Sequence, residues 1–257
     1  MRIKFTILGC GSSLGIPRID GYFGNCNPNN KKNYRTRSSA LISIDDYNIL
    51  IDTSPDVKYQ LINNNVKNIK KVFYTHMHAD QTHGINELRA FYLRDKKKIE
   101  VYADNATRKY LKENFKYCFN DGQGYPSILT LNKLKKKHIY RYKKKKIIIE
   151  SIQVDHGKIK SILYKINNTC AYSSDVSKIS KKNITKLKNI KFLVIDCLRY
   201  NSHPSHFNLE EVLKLTKIIS PKKTILTNMN HEIDYLEVKK KLPDNIFPAY
   251  DGMSFLI

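Results

Sequence analysis

A chain of 257 residues is long enough for one large domain with a substantial buried core, and no apolar run in it reaches the roughly 18 residues that a membrane helix needs. Lys and Arg number 46 against 23 Asp and Glu, a net charge of +23 that attracts phosphate-bearing partners. The five cysteines are odd in number, widely spaced and without a CxxC pair, which excludes a disulfide framework in favour of reduced thiols and makes a cytoplasmic location the expectation.

The charge excess is mainly Lys in the company of many Asn and Ile, so runs such as Lys135 to Lys137 and Lys143 to Lys146 read chiefly as solvated turns. The first residues alternate basic and apolar side chains up to a Gly-rich turn, as an edge strand does and a signal peptide does not. In chain order, β-type runs are expected at Lys4 to Leu8, Ser39 to Ile44, Asn48 to Ile51, Lys71 to Tyr74 and Glu100 to Tyr102. A helix capped by Asn105 should follow, running to about Tyr117. Strands resume at Lys146 to Val154, Ser161 to Ile166 and Phe192 to Ile195. Asn208 with Glu211 three residues later resembles a capping box, opening a helix whose apolar stripe is Leu209, Val212, Leu213 and Ile219. Pro221 stops that helix and Lys223 to Leu226 forms another strand. Hairpin-like pairs in each half, with few helices between, predict two mixed sheets face to face with helices outside, an α/β sandwich spanning residues 1–257 as one domain.

The chemistry is concentrated in histidines. The chain has eight, and all but His138 lie close to an acid or another His. Thr75-His76-Met77-His78-Ala79-Asp80 follows a buried-type strand, and polar residues spaced by two can project from one side of an extended chain. Two neutral imidazoles and a carboxylate that converge suit a first-row cation such as Zn, Mn or Fe. Three later apolar runs also end in ligand-type residues, at Asp155-His156, at Asp175, and at Asn228 to His231.

This order of motifs resembles the metallo-β-lactamase superfamily, and the likeness extends over nearly the whole chain. It includes Leu8-Gly-Cys-Gly-Ser-Ser-Leu-Gly-Ile-Pro-Arg18, Arg35-Thr-Arg-Ser-Ser39, Ile51-Asp-Thr-Ser-Pro-Asp56 and Tyr250-Asp-Gly-Met253. Within the superfamily the chain is most similar to the branch of the cyclic ribose-phosphate phosphodiesterase of phosphonate degradation, whose relatives include the tRNA 3′-processing ribonuclease. The resemblance implies an αββα sandwich. It also implies that His76, His78 and His156 hold one metal, that Asp175 bridges to a second, and that Asp80 ligates the second. Two cations about 3.5–4 Å apart can stabilise the attacking and leaving oxygens of a displacement at phosphorus, and water on such a cation ionises near neutral pH. His206, supported by His203, is implied as the proton donor to the leaving alkoxide. Arg35, Arg37 and Arg89 are the candidate phosphate contacts, of which Arg37 and Arg89 are preferred.

The chain departs from the family pattern at three places. Gln81 stands where a His is usual, the late ligand aligns with Asn228, Asn230 or His231, with His231 preferred, and Cys26 lacks the cluster that would hold a structural zinc. Zn or Mn is therefore expected at one tight site, with a weaker, oxygen-rich second site that uses Gln81 and favours Mn. His83 is expected to start a helix carrying Glu87 and Arg89. The expected function is hydrolysis of a small cyclic or nucleotide phosphodiester, with thioester or lactone hydrolysis as the enzymatic alternative and a metal-poor nucleotide or cofactor-binding protein as the other. A nucleic-acid partner is less favoured because no long Gly-rich insertion is present, no membrane partner is expected, and a dimer remains open.

Overall fold

The computed structural model describes residues 3–122 and 124–257. Among the described residues fourteen strands form two sheets of seven. The first sheet takes β1 (Lys4–Gly9), β2 (Ser39–Ile44), β3 (Tyr47–Ile51), β4 (Lys71–Phe73), β5 (Ile99–Ala103) and β6 (Leu129–Lys133) in sequence order. The second begins with β7 (Lys137–Tyr142), β8 (Lys145–His156), β9 (Ile159–Ile166), β10 (Cys170–Ser173), β11 (Phe192–Asp196), β12 (Lys223–Thr227) and β13 (Ile246–Pro248). The last strand, β14 (Met253–Leu256), returns to pair antiparallel with β1. Each sheet is mixed: β3 to β6 are parallel neighbours, as are β10 to β13, and the remaining pairs are antiparallel.

Side-chain alternation assigns the faces. Phe5, Ile7, Ile49 and Ile51 point toward the other sheet and join its Ile149, Tyr164, Tyr172 and Leu193 in one core. Leu8, Leu41, Leu50, Val72 and Val101 point the opposite way and form a second core. That outer core is covered by α1 (Val57–Asn63), α4 (Asn105–Asn114) and α5 (Lys116–Phe119), which contribute Val57, Leu61, Leu111 and Cys118. The first core continues onto α7 (Leu209–Ile219) and α8 (Tyr235–Lys241) through Val212, Leu215, Ile219 and Val238. Burial on both faces explains the unbroken apolar run Phe192-Leu-Val-Ile195 in β11. Helices on both outer faces complete the expected αββα sandwich.

The capping box at Asn208 and Glu211 forms as expected, and such a cap contributes about 1 kcal/mol to helix stability. Its stripe differs from the expected one, with Leu215 buried beside Val212 and Ile219 while Leu209 and Leu213 are only half-covered. At α4 the cap is Asp104, whose carboxylate accepts from the Thr107 amide, and Asn105 is the first helical residue. The helix expected to reach Tyr117 breaks at Phe115, and the short α5 begins one residue later. Strands β6, β7, β13 and β14 lie outside the β-type runs read from the sequence, and β10 corresponds to the apolar run before Asp175; β13 and β14 have only three and four residues, and β6 and β7 intersperse polar residues with few buried ones. No helix among the described residues is long and apolar enough to cross a membrane.

Candidate metal centre

The loops after β4, β8, β10, β11 and β12 meet at one rim of the sandwich, where the polar ends of buried strands converge. After β4 the chain does not stay extended. His76 and His78 sit in a turn, His78 is the N-terminal flank of α2 (Ala79–Thr82), and Asp80 lies in that helix's first turn. The alternation expected to align these residues on a strand is therefore replaced by a loop and a helical turn. The short helix is held down by Thr82 Oγ1, which donates to the His78 carbonyl at 2.9 Å, and by the Thr53 amide, which donates to the Gln81 carbonyl at 2.8 Å.

Hydrogen bonds set the imidazole tautomers. Asp52 is wholly buried and accepts from the Thr75 amide (2.7 Å) and the Thr75 hydroxyl (2.8 Å). The hydroxyl hydrogen is thereby used, so Thr75 Oγ1 accepts from His76 Nδ1 at 3.0 Å and leaves Nε2 with its lone pair. His156 Nδ1 donates to the Ser205 carbonyl at 2.7 Å, which again leaves Nε2 free. That Nε2 lies 3.4 Å from His78 Nδ1. His156 closes β8, and the two-residue turn to β9 needs Gly157 at φ +57°; a Cβ there would stand 2.8 Å from Ser205 Cβ. The tight turn thus brings the Ser205 carbonyl to His156.

Nitrogens of His76, His78 and His156 lie within 4.8 Å of one another, and so do the ligand atoms of His156, Asp175 and His206. His76 Nε2 is buried and has no partner within the protein. Burial pushes the His76 imidazole down to about 3 and lowers His156 as well, so both rings are neutral, as metal ligation requires. Burial would raise the Asp175 carboxyl, but the histidine cluster around it, in which His206 carries the charge, keeps the group below its usual value. Three imidazole nitrogens within 4.8 Å of one another, beside a carboxylate, fit a first-row cation such as Zn or Mn.

Beside this group His206 Nδ1 is 2.7 Å from Asp196 Oδ2 and 4.0 Å from Asp175 Oδ1. Burial alone would lower the His206 imidazole, but the charge and hydrogen bond of Asp196, with Asp175 and Asp80 beyond, lift it to about 9. Burial pushes the Asp196 carboxyl up to about 7, against the charge and hydrogen bond of His206, which act to lower it. The Val176 amide and Asn228 Nδ2 also donate to Asp196, at 2.9 and 3.1 Å. Sequence reasoning left Asp196 out, although β11 ends on it much as the other strands end on their ligand-type residues.

Of these groups His78, His156, Asp175 and His206 line a cavity of about 390 Å³, with Ser12, Ser13, Leu14, Arg199, His203 and Asn230 on its wall, while His76 and Asp196 lie buried behind it. The Gly-rich turn after β1 is thus part of the site. His203 accepts from the Ser205 amide (3.3 Å), and its ring centroid is 5.0 Å from that of His206. His231 also reaches this wall, but its ring packs on Tyr22 at 5.3 Å and joins neither ligand group; Asn228 lies closer to the His206–Asp196 pair. Arg37 and Arg89 do not line the cavity. Arg37 pairs with Asp56 at 3.0 Å, Arg89 stacks over Tyr125 in a separate cleft of about 720 Å³, and Arg35 is buried against Asn33 and the Asn230 carbonyl. The wall cation is Arg199 instead, whose guanidinium donates to the Asn201 and Ser202 carbonyls and so shapes the loop bearing His203 and His206. His83 lies outside this cavity and contacts the Tyr110 hydroxyl, and the helix expected from it begins only at Arg89 as α3 (Arg89–Asp95), after a 3-10 turn.

Residues 47–229, which carry nearly all of this centre, match the family model of the beta-lactamase superfamily domain. The chain belongs to the metallo-β-lactamase superfamily. A diphosphatase of the PhnP family has the same fold with a TM-score of 0.88 and 27% identity, over 100% of this chain and 98% of that one. Human tRNase Z, short form, superposes with a TM-score of 0.70 at 15% identity, over 98% of each chain. An octanoyltransferase of Porphyromonas gingivalis is 28% identical over 99% of this chain, which spans about half (52%) of that relative's length. Within this superfamily fold, the Asp52–Thr75 relay behind His76 has a measurable role. Thr75→Val should weaken metal affinity about 10–100-fold while leaving the fold intact, as competition with a chromogenic chelator would show.

Proposed function

We propose that this metallo-β-lactamase-superfamily protein hydrolyses a small phosphodiester. The observation that carries the reading is that His206, held by the buried Asp196, lines the same small cavity as His78 and His156 of the three-imidazole group. His76, His78 and His156, with Asp175, would hold the ion, which would activate water and offset charge on the phosphoryl oxygens. The chain's own residues do the rest. Arg199, Ser12 and Ser13 line the wall and can bind an anionic group. Asp80 lines the cavity and is placed to accept a proton from the attacking water. Water adds to phosphorus, the P–O bond to the leaving group breaks, and His206 donates its proton to the departing oxygen while Asp196 holds the ring. The products are a phosphomonoester and an alcohol.

A cavity of this volume suits a small diester or nucleotide better than a folded RNA, and the net charge of +23 favours an anion over a neutral lactone. The similar structures named as a diphosphatase and a tRNase Z support phosphorus chemistry. The test is a substrate panel with metal-loaded protein. Turnover of cyclic and nucleotide diesters should exceed that of thioesters and lactones at least tenfold, and the reverse order would transfer the assignment to acyl hydrolysis.

A further inference from the structure

One half of the centre is complete and the other is not. Asp80 and Asp175 are the carboxylates between which a second ion would sit. The fully buried Gln81 side chain reaches both: its Nε2 is 3.0 Å from Asp80 Oδ2 and 3.2 Å from Asp175 Oδ2. An amide nitrogen carries two hydrogens, so one group can serve both carboxylates at once. The amide oxygen is buried without a partner, yet turning the amide over would set that oxygen at the same distance from two carboxylate oxygens. Two further amides line the site, and both are engaged at both ends: Asn230 Nδ2 donates to Glu232 Oε1 at 3.3 Å and its oxygen accepts from the Glu232 amide at 2.9 Å. Asn228 Nδ2 donates to Asp196 Oδ1 at 3.1 Å, and its oxygen accepts from Ser38 Oγ at 3.4 Å. The late imidazole His231 is turned against Tyr22. Among the described residues Asp80 belongs to neither cluster of potential ligands, so a second borderline cation would meet carboxylates already hydrogen-bonded and, outside the three-imidazole group, the His206 ring beside Asp175, a ring that Asp196 holds at 2.7 Å.

We infer that the centre takes a single ion, and that the Gln81 amide stands in the place of a second one, joining Asp80 to Asp175 as a two-armed hydrogen-bond donor. The inference rests on the three-imidazole group being a metal site, and it replaces the expectation of a weaker second ion ligated by Gln81. Asp80 is then a carboxylate off the metal, tethered through one oxygen, with the other free for the chemistry of the cavity.

Metal counting tests this without reference to activity. Wild-type protein stripped by chelator and re-equilibrated with excess Mn(II) should retain a single equivalent by elemental analysis. Its electron paramagnetic resonance spectrum should be that of isolated Mn(II), with no exchange-coupled signal. Replacing both amides, Gln81→His with Asn228→His, should raise the count to two and introduce the coupled signal. Two equivalents or a coupled spectrum in the wild type would overturn the single-ion inference while leaving the three-imidazole site standing. A double variant still at one equivalent would overturn the place given to Gln81. Wild-type protein that retains no metal would instead overturn the metal reading beneath it. The wild-type measurements decide the ion count even if the double variant does not fold.

Discussion

His76→Ala or His156→Ala is expected to leave a folded protein that neither retains metal nor hydrolyses its substrate. Each ring contributes one of three converging nitrogens, and its other nitrogen is already used by Thr75 or by the Ser205 carbonyl, so no rearrangement can supply a substitute. Loss of a supporting hydrogen bond typically costs about 10–100-fold in metal affinity, and loss of a ligand should exceed that range. The two sheets do not depend on either ring, because the core is built from the apolar faces of the strands. Thermal unfolding with and without Zn or Mn checks the result. A ligand at about 100 times its dissociation constant adds about 2.7 kcal/mol to the stability of the native state. The wild type should therefore show a metal-dependent rise in Tm and the variants none. An equal rise in both would remove His76 and His156 from the ligand set.

The second large effect concerns His206. His206→Ala should reduce turnover about 10²–10⁴-fold for a diester with an alkoxide leaving group and far less for one with a nitrophenolate, which departs without a proton. Equal losses on both substrates would take His206 out of the acid role. Asp196→Asn separates positioning from proton donation. The Asp196 carboxylate raises the His206 imidazole, so its neutral replacement lowers that value, and the proton is then lost at a lower pH. The alkaline limb of the rate profile should accordingly move toward lower pH in Asp196→Asn while the acid limb stays in place. An unmoved alkaline limb would show that another group controls it.

Much of the centre could be read along the chain because each ligand lies at, or a few residues after, the end of an apolar strand, and strands with buried faces are legible as such. Val72-Phe73 before His76, Ile152 to Val154 before His156, and Cys170 to Tyr172 before Asp175 all carry that mark. The paired sheets followed from the same alternation, and α7 from its capping box. Strands such as β13 and β14 were harder to see, since three or four residues show too little periodicity to separate from loop.

By itself the sequence determined the superfamily, the sandwich of two mixed sheets and the identity of the imidazoles that converge, all properties of local pattern and of strand-end chemistry. Tertiary structure decided the rest. Asp196 faces His206 only because β11 and the loop before α7 meet at the rim, and Arg199 replaces Arg37 and Arg89 on the cavity wall because those two are engaged by Asp56 and Tyr125. The orientation of Gln81 belongs to the same class. Whether an amide offers a metal its oxygen or a carboxylate its hydrogens depends on which groups surround it, and Asp80 and Asp175, one adjacent in sequence and the other 94 positions away, come to the same nitrogen only in the fold.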